Sequence, residues 1–207
     1  MYKSIYDKNW IPIKLDENLR FSDLMQSAGM SDFTKGFRKK RNALGKRENL
    51  VAKLKKLKVN RKKDYITFIF KTTPTKLPAG KVNPNTNFSL SKARVYTMEI
   101  RILKFFSWLK SATDLSETGE FTYTDLKEIL KVADIQVFCT CPSFHWMGMN
   151  YHMSMFDASI HPTDIPPNHW DKYHNEDQFL CKHLGGLTNQ FKFYLNPMAG
   201  LINKYFK

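Results

Sequence analysis

The sequence predicts an α+β fold, a small antiparallel sheet with flanking helices. Three observations predict it. Residues 65–72, Tyr-Ile-Thr-Phe-Ile-Phe-Lys-Thr, are aromatic and β-branched, the side chains that pack well on a pleated surface. Residues 94–102, Arg-Val-Tyr-Thr-Met-Glu-Ile-Arg-Ile, alternate polar and apolar with the period of a strand. Phe121 to Lys131 carries Glu128 and Lys131 outside an Ile129/Leu130 face, the pattern of a short helix, with Thr124 as its N-cap.

From the N-terminus, residues 1–34 mix apolar and polar side chains without a clean period, and Phe21-Ser-Asp-Leu-Met opens a short helix with Ser22 as N-cap. Leu50, Leu54 and Leu57 recur at helical spacing among lysines, with Val51 beside them, which predicts a basic amphipathic helix from about Glu48 to Lys58. Its apolar stripe is expected to dock on the body. Pro74, Pro78, Gly80 and Pro84 make residues 73–92 a loop, across which the two strands are expected to pair antiparallel. The second strand is expected to run on towards Phe106. After the Phe121 helix, Asp134 to Phe138 reads as a short strand running directly into Cys139. Residues 142–180 form a long aromatic-rich insertion containing Pro162, Pro166 and Pro167, and a loop of that length is functional or held by something. Residues 183–195 and 197–206 read as helical, interrupted near Asn196-Pro197. The expected organisation is an N-terminal segment, 1–64; a strand hairpin and helix, 65–133; and a C-terminal module, 134–207.

The 207 residues include sixteen Phe, nine Tyr and four Trp at 42% hydrophobic content, a globular composition and not a disordered one. No apolar run reaches the roughly 18 residues that a membrane helix needs. Met1-Tyr-Lys-Ser-Ile-Tyr-Asp has no apolar signal-peptide core, so a soluble protein made in a cytoplasm is expected, with no membrane partner. The net charge of +14 is localised: between Lys35 and Lys63 fourteen Lys or Arg face one acid, Glu48. That segment points to a polyanion, nucleic acid above all, with the solvated helix face as the bland alternative. Its candidate contacts are Lys35, Arg38, Lys39, Lys40, Arg41, Lys46, Arg47, Lys53, Lys55, Lys56, Arg61, Lys62 and Lys63.

Three cysteines, an odd number, argue against a disulfide framework. They stand as Cys139-Thr-Cys141 and, 39 residues later, Cys181-Lys-His183. Thiolate and imidazole ligands suit zinc, whereas calcium and magnesium prefer oxygen. Two ligands at a strand end, with Pro142 stopping the strand, and two at a helix start would let one metal staple the two elements. The pairing uses every cysteine. The alternatives are buried free thiols beside an unrelated histidine, or a nucleophilic or redox Cys139 or Cys141 with His145 as base.

Cys-x-Cys followed at a distance by Cys-x-His resembles the SWIM-type zinc-binding motif, as do the flanks Val137-Phe-Cys-Thr-Cys-Pro-Ser-Phe144 and Leu180-Cys-Lys-His-Leu184. The resemblance covers about residues 134–190 and implies Cys139, Cys141, Cys181 and His183 as ligands of a structural Zn2+. It also implies binding of nucleic acid or protein, not catalysis. The spacer is longer than in typical SWIM motifs and is similar to the form found in virion structural proteins of tailed bacteriophages. On that likeness a virion location and docking on neighbouring subunits are expected.

His145, His152, His161, His169 and His174 offer a substitute ligand or a second site, or simply surface and packing. Phe144, Trp146, Tyr151, Phe156, Trp170 and Tyr173 either stack on bases or form a small local core or a protein contact surface over the metal. Phosphate-loop, His-Glu-x-x-His, Gly-x-Ser-x-Gly and zinc-deaminase signatures are absent. Four protein ligands would also leave no open position for an activated water. The expectation is a non-enzymatic structural or assembly protein with a zinc-stapled C-terminal module; the competing one is a nucleic-acid-binding protein using Lys35 to Lys63.

Overall fold

The computed structural model describes residues 19–21, 24, 52–72, 95–113, 120–146, 149–165 and 180–206. Over these residues the fold is α+β. The strands are β1 (Ala52–Asn60), β2 (Tyr65–Thr72), β3 (Thr97–Leu103) and β4 (Ile135–Cys139). The helices are α1 (Phe105–Thr113), α2 (Tyr123–Val132), α3 (Pro142–Trp146), α4 (Met149–Ser154), α5 (Lys182–Asn189) and α6 (Leu195–Phe206), with a 3-10 turn at Phe191–Phe193. The strands form one sheet in the order β1-β2-β3-β4, every neighbouring pair antiparallel. The sheet therefore draws β1 from the expected N-terminal segment, β2 and β3 from the middle, and β4 from the C-terminal module.

Alternation divides the sheet into two faces. Ile66, Phe68 and Phe70 of β2, Met98, Ile100 and Ile102 of β3, and Ile135, Val137 and Cys139 of β4 share one face and are all buried. Phe105 of α1, Leu126, Ile129 and Leu130 of α2, and Met198, Ala199 and Ile202 of α6 join them in one core. A fully buried side chain of this size contributes about 1.5 to 3 kcal/mol. An exposed pair such as Lys131–Glu128, at 2.6 Å, contributes at most about 1 kcal/mol. Burial of this face is what holds the fold.

The helix expected from Glu48 to Lys58 is corrected over its described part: residues 52–60 are the edge strand β1. The misleading signal was the three-residue spacing of Leu54 and Leu57, which in a regular strand would put them on opposite faces. A β-bulge resolves it. Leu54 pairs with Phe70 and Lys56 with Ile69, leaving Lys55 without a register partner. The extra residue restores Leu57 to the face of Leu54, and both pack against the core while the lysines stay exposed.

β2 and β3 pair as expected, but the second strand does not reach Phe106. It stops at Leu103, and Lys104 turns the chain with φ 52° into α1, a helix the sequence reading missed. Asp64, in the β1–β2 turn, accepts from the Phe106 N–H and the Ser107 hydroxyl, both at 2.6 Å, and so caps α1 from a distant segment. The α2 helix is N-capped by Thr122 and not Thr124: the Asp125 N–H donates to Thr122 Oγ1 and the Thr122 N–H donates to Asp125 Oδ2. That reciprocal pair is a capping box. Near the C-terminus the helical interruption lies at residues 190–194, ahead of Asn196. Pro197 sits in the first turn of α6, where its missing N–H has no acceptor to lose. The Asn203 side chain donates to the Phe121 carbonyl at 2.7 Å and accepts from its N–H at 3.0 Å, tying α6 to the start of α2.

The described residues of the insertion at 142–180 form α3 and α4 and bond from residues 158–160 to β4, with the Val137 N–H donating to the Ala158 carbonyl at 2.8 Å. Ser22, the basic residues 35–51, residues 73–92, expected to be a loop, and residues 166–179 lie outside the described residues. Among the described residues, no helix is long and apolar enough to cross a membrane.

Candidate metal centre

The centre is built where the sheet ends. Cys139 is the last residue of β4, opposite Met98 of β3, and alternation turns it to the core face with Val137. β3 grips the strand just beyond it. The Thr140 N–H donates to the Thr97 carbonyl and the Thr97 N–H donates to Thr140 Oγ1, both at 2.9 Å. Pro142, with no N–H to give, ends pairing and opens α3, and the Phe144 N–H closes the turn on the Cys141 carbonyl at 3.0 Å. Cys141 is thereby buried two residues past the strand.

The other half enters on α5. Cys181 is its N-cap residue, in an extended conformation, and its carbonyl accepts the first helical bond from Gly185 at 2.9 Å. His183 follows within the first turn. Its ring packs on Tyr96 with centroids 4.6 Å apart, and its Nδ1 lies 3.9 Å from Cys139 Sγ. The ligand atoms of Cys139, Cys141, Cys181 and His183 all lie within 4.8 Å of one another, and all four residues are buried. Zinc bonds of the usual thiolate and imidazole lengths span a tetrahedron with edges of about 3.5 to 3.8 Å. The cluster is close to that size, so it could bind a metal ion with a displacement of well under an ångström per ligand.

Electrostatics make the same case. Three sulfurs packed together cannot all ionise without a cation. Hydrogen bonds from Cys139 and then Cys181 hold Cys141 well below the ordinary thiol range, with the His183 ring and the Phe144 amide assisting against its burial. The hydrogen bond to Cys141 pushes Cys139 far up, and Cys181 and burial add to it. Burial pushes Cys181 up to about 12, while its bond to Cys139 and the Leu184 amide act the other way. The three thiols thus work against one another, Cys141 pushed towards the thiolate and Cys139 and Cys181 away from it. A divalent cation at the centre would take the place of thiol protons and satisfy every sulfur.

The structure brings together the four residues that the sequence pairs. Sequence reasoning missed Tyr96, which orients His183, and Thr97 and Thr140, which fix the strand end. Nothing local in the sequence ties Tyr96 to the cysteines. The Phe144 and Leu184 amides were findable, each three residues beyond a cysteine that precedes a helix.

The insertion's histidines are not in the cluster where they are described. His145 and His161 pack edge-on against Phe138, and His152 packs at a tilt against Phe156. His169 and His174 lie outside the described residues, as do Trp170 and Tyr173. Phe144 and Phe156 are buried core members, as the local-core alternative required. Of the basic candidates, Lys53, Lys55, Lys56, Arg61, Lys62 and Lys63 are exposed on β1 and its turn. Lys35, Arg38, Lys39, Lys40, Arg41, Lys46 and Arg47 lie outside the described residues. No family model, curated protein or solved structure matches the chain, so the likeness of Cys-x-Cys and Cys-x-His to a known motif rests on those residues themselves.

Proposed function

We propose that Cys139, Cys141, Cys181 and His183 hold one structural Zn2+, and that the chain is a non-enzymatic structural or assembly protein docking on neighbouring subunits. The observation that carries the metal reading is four buried ligand atoms from a strand end and a helix start within 4.8 Å. Three thiols and an imidazole select zinc over oxygen-seeking cations. Four protein ligands complete its tetrahedron, so the ion serves structure rather than water activation.

Docking is supported by a module made rigid at the metal and carrying large apolar side chains in solvent, Ile165 at 72% exposure and Phe193 at 69%. Within that class, the long aromatic spacer, similar to that of SWIM-type virion proteins of tailed phages, makes a virion component our reading. Elemental analysis with native mass spectrometry tests the metal. One zinc per chain is expected, lost in Cys181→Ser and His183→Ala; equal zinc in parent and variants refutes the ligand set. Mass spectrometry of purified particles tests the location, and a chain that stays monomeric and is absent from particles ends the assembly reading.

A further inference from the structure

The end of the sheet away from the metal centre holds an arginine that the fold fixes in place but does not pair. Arg61 stands exposed in the β1–β2 turn, its guanidinium 5.7 Å from the Phe106 ring centre and 5.2 Å from that of Phe206. Phe106 meets Phe206 edge-on at 6.0 Å and the buried Phe105 at 5.6 Å, and Tyr205 meets Phe206 at 5.2 Å. This aromatic run starts in the core and ends in solvent, where Tyr205 is 51% and Phe206 36% exposed. Asp64, the one acid of the turn, accepts with one oxygen from the Phe106 N–H and with the other from the Ser107 hydroxyl. Among the described residues the Arg61 side chain has no hydrogen-bond or ion-pair partner. Lys62 and Lys63 of the turn, Lys104 just ahead of α1 and Lys204 of α6 are exposed and add to its charge.

Stacking by itself is explained by an arginine stem that shields apolar rings. Arg101 shows the purely internal form: its guanidinium lies 4.1 Å over the Tyr65 ring, and its N–H groups are taken by Thr67 and Gln136. Arg61 has the stack without the acceptors, and Phe206 beneath it stays accessible. We propose that this corner docks an acidic segment of a protein partner, with a carboxylate on the Arg61 fork and an adjoining large apolar side chain on Phe206 and Tyr205. The inference rests on the assembly reading for its choice of a protein partner, and not on the metal. A guanidinium already held on aromatic faces loses little freedom when it takes a carboxylate through two parallel N–H bonds. The surrounding lysines favour an acidic partner over a neutral one. Exposed aromatic and arginine side chains in one patch are the kind that anchor protein interfaces.

The test uses the full-length, metal-loaded protein and a short fluorescent peptide that alternates Glu with Phe and Leu. Two control peptides keep the length: one carries Gln for Glu, the other Ser for Phe and Leu. The first peptide is expected to bind, to shift the Arg61 side-chain N–H signal in the NMR spectrum, and to outbind each control about tenfold, since each lacks half of the contact. Arg61→Gln and Phe206→Ser should each weaken it about tenfold at unchanged zinc content. Arg61→Lys should bind as weakly as Arg61→Gln, because an ammonium keeps the charge and loses the fork. Lys192→Gln, beyond the opposite end of α6, should bind as the parent does. Parent binding weaker than about 1 mM overturns the proposal. So does a control peptide that binds as well, or an Arg61→Lys variant that binds like the parent. Displacement of the peptide by single-stranded DNA or phosphatidylserine vesicles as effective as by unlabelled peptide also overturns it, making the corner a general polyanion or membrane surface. Specific peptide binding by a chain that is absent from particles would remove the virion reading and leave this surface standing.

Discussion

Cys139, Cys141 and Cys181 differ more in protonation than in burial. Cys139 and Cys181 are pushed up, the second to about 12, so both resist ionisation in the metal-free protein, while Cys141 is pushed down. Metal uptake must then expel thiol protons, so affinity rises with pH. Chelator competition at pH 6.5 and 7.5 measures this, and a pH-independent constant would show that the thiols do not ligate. Asp64 is the second residue that controls more than itself. Its φ of 49° is a left-handed conformation that Asp tolerates better than most residues, and its carboxylate supplies the cap of α1. Asp64→Ala loses both advantages and should cost about 1 to 2 kcal/mol in urea unfolding. Asp64→Asn, which keeps one acceptor, should cost less; equal losses would mean that the cap bonds contribute nothing.

At the scale of elements, the bulge in β1 makes a discriminating prediction. Deleting Lys55 removes the residue that has no register partner and leaves Leu54, Leu57 and Val59 alternating towards the core. Deleting Lys58 instead makes Leu57 and Val59 adjacent, forcing one out of the core at about 1 to 2 kcal/mol. Thermal melts should place the first variant within a few degrees of the parent and the second clearly below it, and the reverse order would remove the bulge as the explanation of the register. The same element shows where the sequence was legible. β2 and β3 were readable because their apolar period is strictly two or continuous. β1 was not, since a bulge turns a strand's spacing into a helix's. α1 was hidden because Phe105-Phe106 continues a strand in composition, and only the distant Asp64 says otherwise. The Thr122 cap was misplaced by two residues because its capping box with Asp125 competes with a second threonine. The metal cluster was readable, since two short cysteine pairs with no cysteine left over admit few arrangements; its supporting Tyr96 was not, since that contact exists only after the sheet has formed.

For the whole molecule, the question is how far the metal's influence extends. It links the end of β4 to the start of α5 across the 39 residues between Cys141 and Cys181. Closing a loop of that length is worth about 4 kcal/mol in chain entropy. The rest of the fold has independent ties. The Tyr194 hydroxyl donates to the Ala52 carbonyl at 2.6 Å, and Asn203 bridges to Phe121, so α6 is held by β1 and α2 without the centre. Metal removal should therefore unfold part of the molecule and spare the rest. Hydrogen exchange after chelation is expected to show faster exchange at 140–144 and 181–189. Protection should remain in β2, β3, α2 and α6, whose core faces bury Phe68, Ile100, Leu126 and Ile202. Uniform loss of protection would make the metal a condition of folding for the entire chain. No change at either segment would mean that the four residues meet without joining anything, and the stapled module would have to be abandoned.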